Sequence, residues 1–119
     1  MRSGEYKLAV QRGSGAAYAW VVLEAHDSLD EAFFVDTTLV DTWWRPAVAF
    51  GVNYAHEKCL FAGQRRKVSV TVTSVQTMAV DTNQMAVAFA SYQAACIALG
   101  MRPDDRVRLR PDWTYEFPA

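Results

Sequence analysis

The chain predicts an α+β two-layer sandwich, in the order β-β-β-α-β-α followed by one or two short strands. Three observations carry this expectation. From Lys67 to Leu99 a strand, a short tip and a helix follow one another directly. Val68, Val70 and Val72 alternate with Ser69, Thr71 and Thr73, and Met85, Phe89, Tyr92, Cys96 and Leu99 then recur at helical spacing. Trp44, Val48, Val52, Ala55 and Cys59 or Leu60 make an earlier apolar stripe. Two extended segments separated by glycines open the chain as a hairpin.

Taken in order, Glu5 to Gln11 reads as the first strand and Arg12 to Ala16 as a glycine-punctuated turn. Ala17 to Ala25 is the second strand, with Tyr18, Trp20 and Val22 on one face. His26 to Glu31 is polar and turn-like. Ala32 to Thr37 makes a short third strand carrying Phe33, Phe34 and Val35, and Thr38 to Trp44 is a connection. Pro46 suits the first turn of a helix, where a missing N–H costs nothing, and that helix ends near Gly63. Asp81 stands three residues before Gln84, the spacing of an N-cap and its reciprocal partner, so the second helix is expected to start at Asp81 or Thr82. Gly100 and Pro103 stop it. Val107 and Leu109 alternate with Arg106, Arg108 and Arg110 in a short basic-faced strand, and Trp113, Tyr115 and Phe117 share a face if the tail is extended.

Length and composition bound the class. A chain of 119 residues is expected to be one domain, 1–119, burying roughly 65% of its unfolded surface. Half the residues are apolar, which argues for a packed core over a disordered tail. The net charge of −1 lacks the basic excess usual for nucleic-acid binders. Met1 to Lys7 shows no secretory pattern and no apolar run approaches a membrane span of roughly 20 residues, so a cytoplasmic protein without membrane contact is expected. Cys59 and Cys96 lack metal-ligand spacing and fall on core faces, so they read as buried thiols, with a disulfide possible if the helices run side by side.

The strand–tip–helix unit resembles the end of the fourth domain of elongation factor G and of the related ribosomal-protection GTPases. In that family an alternating strand runs through a tip loop into V-D-S-S-E/Q-L/M-A-F, and Val80 to Ala86 here reads V-D-T-N-Q-M-A. Pro46, Ala47, Val48 and Gly51 match the family's P-A-V-x-x-G helix start, and Ala62 with Gly63 its L-A-G ending. Gln11, Gly13, Ser14, Gly15 and Tyr18 resemble its glycine-rich Q-x-G-G-x-G-x-Y loop. The resemblance covers about residues 5–100, and 101–119 is a divergent tail. It implies a left-handed βαβ crossover, against the usual rule. The tail replaces the family's L-L-E-P continuation, which favours a self-contained protein.

The resemblance also implies a functional end. One finger of the tip would be Arg12, Gly13, Ser14 and Gly15, with Arg12 as a phosphate-contacting cation; the other would be the Val75–Ala79 loop, including Gln76, Thr77 and Met78. Asp41 to Arg45 replaces the family's longer approach to the first helix, and the family's tip histidine is missing. Trp43 and Trp44 could stack on unpaired bases beside Arg45, although Trp44 reads more simply as core and Trp43 as a cover for the helix start or a partner contact. Two cations, Arg12 and Arg45, neutralise roughly two phosphates, a salt slope of only about −2. Arg65, Arg66 and Lys67 with Arg102, Arg106, Arg108 and Arg110 read as a solvated rim, because aspartates are interleaved.

No G-x-x-x-x-G-K-[ST] loop is present, so nucleotide binding is not expected. His26 and His56 are lone histidines, His56 reading as a surface residue, and no nucleophile–base or metal set can be assembled. The expectation is therefore a non-enzymatic module without cofactor or metal. Its partner would be ribosomal or other structured RNA met through the tip. The alternative is a protein partner or a second copy, met through Trp43-Trp44 and an exposed patch of Trp113, Tyr115 and Phe117.

Overall fold

The computed structural model of the chain describes residues 2–27, 33–61 and 68–118. Strands β1 (Arg2–Arg12) and β2 (Gly15–Asp27) form a long hairpin whose ends pass beyond the expected boundaries. Arg12 pairs with Gly15, leaving a two-residue loop. Gly13 takes its first position with φ 57°, a conformation a side chain would resist. Strand β3 (Phe34–Asp36) lies parallel to β4 (Val68–Gln76), and the sheet order is β1-β2-β4-β3. Helix α1 (Arg45–Phe61) makes the crossover between β3 and β4, and α2 (Gln84–Leu99) follows β4. A hairpin of β5 (Arg108–Leu109) and β6 (Tyr115–Glu116) closes the order. The α+β sandwich expected from the sequence is what the chain adopts.

Val68, Val70 and Val72 face the core as their alternation requires, and Val48, Val52, Ala55 and Cys59 form the buried stripe of α1. On β2 the buried set is Ala17, Ala19, Val21, Leu23 and Ala25. Tyr18, Trp20 and Val22 do share a face, but it is the open face of the sheet, where the Lys7 ammonium lies 4.9 Å from the Trp20 ring centroid. The reason is the closeness of α2. A Cβ on Gly4 of β1 would collide with the Ala94 carbonyl of α2, and such an approach leaves room for alanines beneath the helix and none for indoles. Gly51 does the same for the two helices, since a Cβ there would strike the Ala88 carbonyl.

Two features of α2 differ from expectation. Asn83 is its N-cap, accepting from the Ala86 amide at 2.8 Å, in place of Asp81 or Thr82. Asp81 belongs instead to a turn whose amide donates to the Met78 carbonyl. The helix is also buried on more than one stripe: twelve of its sixteen residues are inaccessible, while Met85, expected in the core, is exposed. Sheet, α1 and tail enclose it on three sides. Gly100, at φ 70°, ends it by donating to the Cys96 and Ile97 carbonyls. Cys59 and Cys96 are buried thiols not joined in a disulfide, and burial pushes the Cys96 thiol up to about 11.

The tail is not a free aromatic patch. Phe117 packs edge-on to Phe50 and Tyr54 at 5.2 and 5.3 Å, and Tyr115 meets Phe89 at 5.7 Å. The Tyr54 hydroxyl donates to the Pro118 carbonyl, and the Asp104 amide donates to the Tyr92 hydroxyl at 2.9 Å. An alternating aromatic segment has one apolar side, and here that side covers the outer surface of both helices. His56 is likewise no free surface ring, since it stacks on Phe33 at 3.8 Å. The expected turn at His26–Glu31, the start of β3 at Ala32, the end of α1 at Gly63 and the basic set Arg65-Arg66-Lys67 lie wholly or partly outside the described residues.

Candidate functional site

Strand direction gathers three connections at one end of a body 48 Å long. β1 runs toward the Gly13–Ser14 turn and β2 away from it, β4 runs antiparallel to β2, and both helices begin where the strands before them end. The hairpin turn, the β4–α2 loop and the approach to α1 therefore share an end, as the sequence suggests. The Gln84 side chain ties two of them together by donating to the Trp43 carbonyl at 2.8 Å.

The β4–α2 loop is a compact turn fixed to β2. The Thr82 hydroxyl donates to the Tyr18 carbonyl at 2.6 Å and accepts from the Met78 amide at 2.8 Å, while the Tyr18 amide donates to the Asp81 carbonyl at 3.0 Å. Gln76 ends β4 opposite Trp20, and Thr77 leads into the turn. A shallow recess of about 300 Å³ opens between this turn and the hairpin, with Met78, Tyr18 and Val10 in its wall.

Both expected phosphate-binding cations are engaged by the chain itself. The Arg45 Nε donates to the Val40 carbonyl at 2.9 Å and its second nitrogen reaches the Thr38 carbonyl at 3.4 Å, so the guanidinium closes the loop before α1. The Arg12 guanidinium lies 5.1 Å from the Trp113 ring centroid and donates to the Arg110 carbonyl at 3.3 Å. Trp113 in turn covers the hairpin turn, where a Cβ on Gly15 would lie 2.6 Å from the indole. Its backbone is left-handed, φ 69°, which costs a large side chain about 1 to 2 kcal/mol that the ring's seat on Gly15 must offset. Ser14 stands exposed at the loop apex.

The acidic groups at this end are also engaged locally. The Thr38 amide and hydroxyl donate to Asp36 and hold its carboxyl below the usual range, and the Asp41 carboxylate accepts from the Trp43 amide at the 3-10 turn before α1. Along the tail, Arg102 pairs with Asp105, Arg106 with Asp104, and Arg108 and Arg110 both with Glu116. The four arginines thus make a paired rim in place of a basic patch.

Large apolar side chains also stand exposed at this end. Trp44 packs against the core, but Trp43 is 68% exposed and Val80, at the apex of the β4–α2 turn, is 94% exposed. Leu39, Met78, Phe50 and Met85 are exposed as well, and the last two line a mostly apolar cleft of about 240 Å³ between the first turns of α1 and α2. Val80, Leu39, Phe50 and Met85 were not expected as site residues from the sequence. Leu39 and Val80 lie in loops, where an apolar residue carries no pattern that separates exposure from burial, whereas Phe50 and Met85 lie near the starts of helices α1 and α2.

No protein-family model matches the chain, and no curated protein matches it significantly. The fold does have a solved counterpart. The Thermus thermophilus protein ttk003000868 is similar to it with a TM-score of 0.68 at 19% sequence identity, over 84% of this chain. The matching part is 16% of that chain, so this protein corresponds to a small portion of it. At such identity the likeness shows the fold. The sheet and helices are consistent with an α+β fold like that of the fourth domain of elongation factor G.

Among the described residues no group of three or more His, Cys, Asp or Glu side chains is placed to hold a metal ion, and no helix is long and apolar enough to cross a membrane.

Proposed function

We propose that the chain is a non-enzymatic cytoplasmic binding module that docks a protein partner on the apolar end formed by Trp43, Met78, Val80 and Met85. The observation that carries this is the division of labour there: Arg12 and Arg45 are held by the chain's own carbonyls, while large apolar side chains stand in water. Burying such side chains is worth about 25 cal/mol per Å², and aromatic anchors beside a cleft are typical interface centres. The test is affinity capture with the chain and with a Trp43→Ala, Val80→Asp double variant. A protein retained by the first, lost with the second and bound in purified form with little salt dependence supports the assignment. Identical capture by both would refute it.

A second reading, binding of ribosomal or other structured RNA through the same end, draws on the fold likeness and on the exposed Trp43 ring, since stacking gives about 1 to 3 kcal/mol per base. Co-sedimentation with ribosomal subunits at low and near-physiological salt separates the two. Pelleting that persists at the higher salt and is abolished by Trp43→Ala favours RNA, and no pelleting at either salt favours the protein partner.

A further inference from the structure

The two edges of the sheet are unlike. β3 is three residues long, a common way of blunting an edge, whereas β1 runs for eleven residues and none of the described residues pairs on its outer side. Arg12 and Gly15 close a two-residue loop, so they form a hydrogen-bonded pair, and alternate residues back along β1 point their backbone groups away from β2. Those residues are Gln11, Ala9, Lys7, Glu5 and Ser3. All five are exposed, and among the described residues their outward N–H and C=O groups have no backbone partner. Among the described residues the tail's hydrogen bond and indole contact to the hairpin fall at its turn, on Arg12 and Gly15.

We propose that β1 is the self-association edge of this protein, pairing antiparallel with β1 of a second copy about a two-fold axis at Tyr6. Charge fixes both the occupant and the register. Glu5 and Lys7 flank Tyr6 on the open face, so the two-fold sets Glu5 of each copy opposite Lys7 of the other, and Ser3 opposite Ala9. Each of these opposed pairs exchanges two backbone hydrogen bonds. Slipping by two residues in either direction sets Glu5 against Glu5 or Lys7 against Lys7, and slipping by one turns the core face of one copy to solvent. The favoured register therefore joins the two four-stranded sheets into one continuous sheet of eight strands. The edge meets the apolar end at Ala9 and Gln11, which line the same recess as Met78, whereas Glu5 and Lys7 lie outside that recess, so their variants test the edge apart from the apolar end.

The test is sedimentation equilibrium of the full chain over a concentration series, with the protomer mass of 13.3 kDa as reference. A monomer–dimer equilibrium is expected. Lys7→Glu should raise the dissociation constant about tenfold, equivalent to about 1.4 kcal/mol, because each substitution occurs twice across the axis. Combining Glu5→Lys with Lys7→Glu should restore it. Ala9→Pro removes an N–H that β2 does not use and should abolish pairing while circular dichroism stays unchanged. Amide exchange of the unaltered chain gives a reading that no variant's folding can spoil: the Ser3, Glu5, Lys7 and Ala9 amides should gain protection as concentration rises. A monomer at every concentration would overturn the proposal, as would a dimer indifferent to both Lys7→Glu and Ala9→Pro or a dimer whose β1 amides gain no protection.

Discussion

Replacing Phe117 by alanine tests whether the tail is part of the core. The ring is half-buried and meets Phe50, Tyr54 and Tyr92 edge-on at 5.2, 5.3 and 6.4 Å. Truncating a fully buried phenylalanine costs about 3 to 5 kcal/mol, so a half-buried one should lose roughly 2 kcal/mol. Three ring pairs worth about 0.5 kcal/mol or more each bring the loss toward about 3 kcal/mol. For a chain of 119 residues the entropy of unfolding is about 250 cal/mol/K, so the melting temperature should fall by about 8 to 12 °C. Urea and thermal unfolding followed by circular dichroism read this directly. Trp43→Ala, at a 68% exposed ring, is the control and should change stability by less than about 0.5 kcal/mol. Equal stability of Phe117→Ala and the unaltered chain would show that the tail does not dock.

Asn83→Ala should cost about 1 kcal/mol through loss of the cap on Ala86, while Asp81→Ala should leave the start of α2 unchanged; urea midpoints of the two variants distinguish the caps. Gly51→Ala should destabilise by about 1 to 3 kcal/mol, because its methyl must displace the α2 backbone at Ala88, and thermal melts will show it. Arg110 and Arg108 hold the Glu116 carboxyl below its ordinary 4.5. A depressed carboxyl contributes stability that is present above that ordinary value and lost as pH falls through the lowered one. Glu116→Gln should therefore flatten the acid limb of the urea midpoint against pH, and an unchanged limb would contradict the pairing.

The parts of this fold legible in sequence are those where one pattern has one physical solution. Val68, Val70 and Val72 can face only one way, and the α1 stripe from Val48 to Cys59 matches one helical face. β2 was ambiguous because both of its faces are apolar, and the choice between alanines and aromatics was made by α2 lying close above Gly4. Asp81 and Asn83 are both good N-caps. The decision fell to Thr82, whose hydroxyl fastens the preceding turn to Tyr18 and delays the helix by two residues. At the candidate site the three connections were foreseeable from topology. The fate of Arg12 was not, because its partner carbonyl lies 98 positions away, and that of Arg45 was not, because its local partners at Val40 and Thr38 are backbone carbonyls that no side-chain pattern marks.

The long reach of the tail has a kinetic side. Its hydrogen bonds join Arg12 to Arg110 and Tyr54 to Pro118, separations of 98 and 64 residues. Contacts closing such wide loops gather late, after the hairpin and helices that supply their docking surface. A late contact adds little to the folding rate and much to the barrier against unfolding. Loosening Phe117 should therefore leave refolding nearly unchanged and speed unfolding, making the tail the clasp that sets how long the native state lasts.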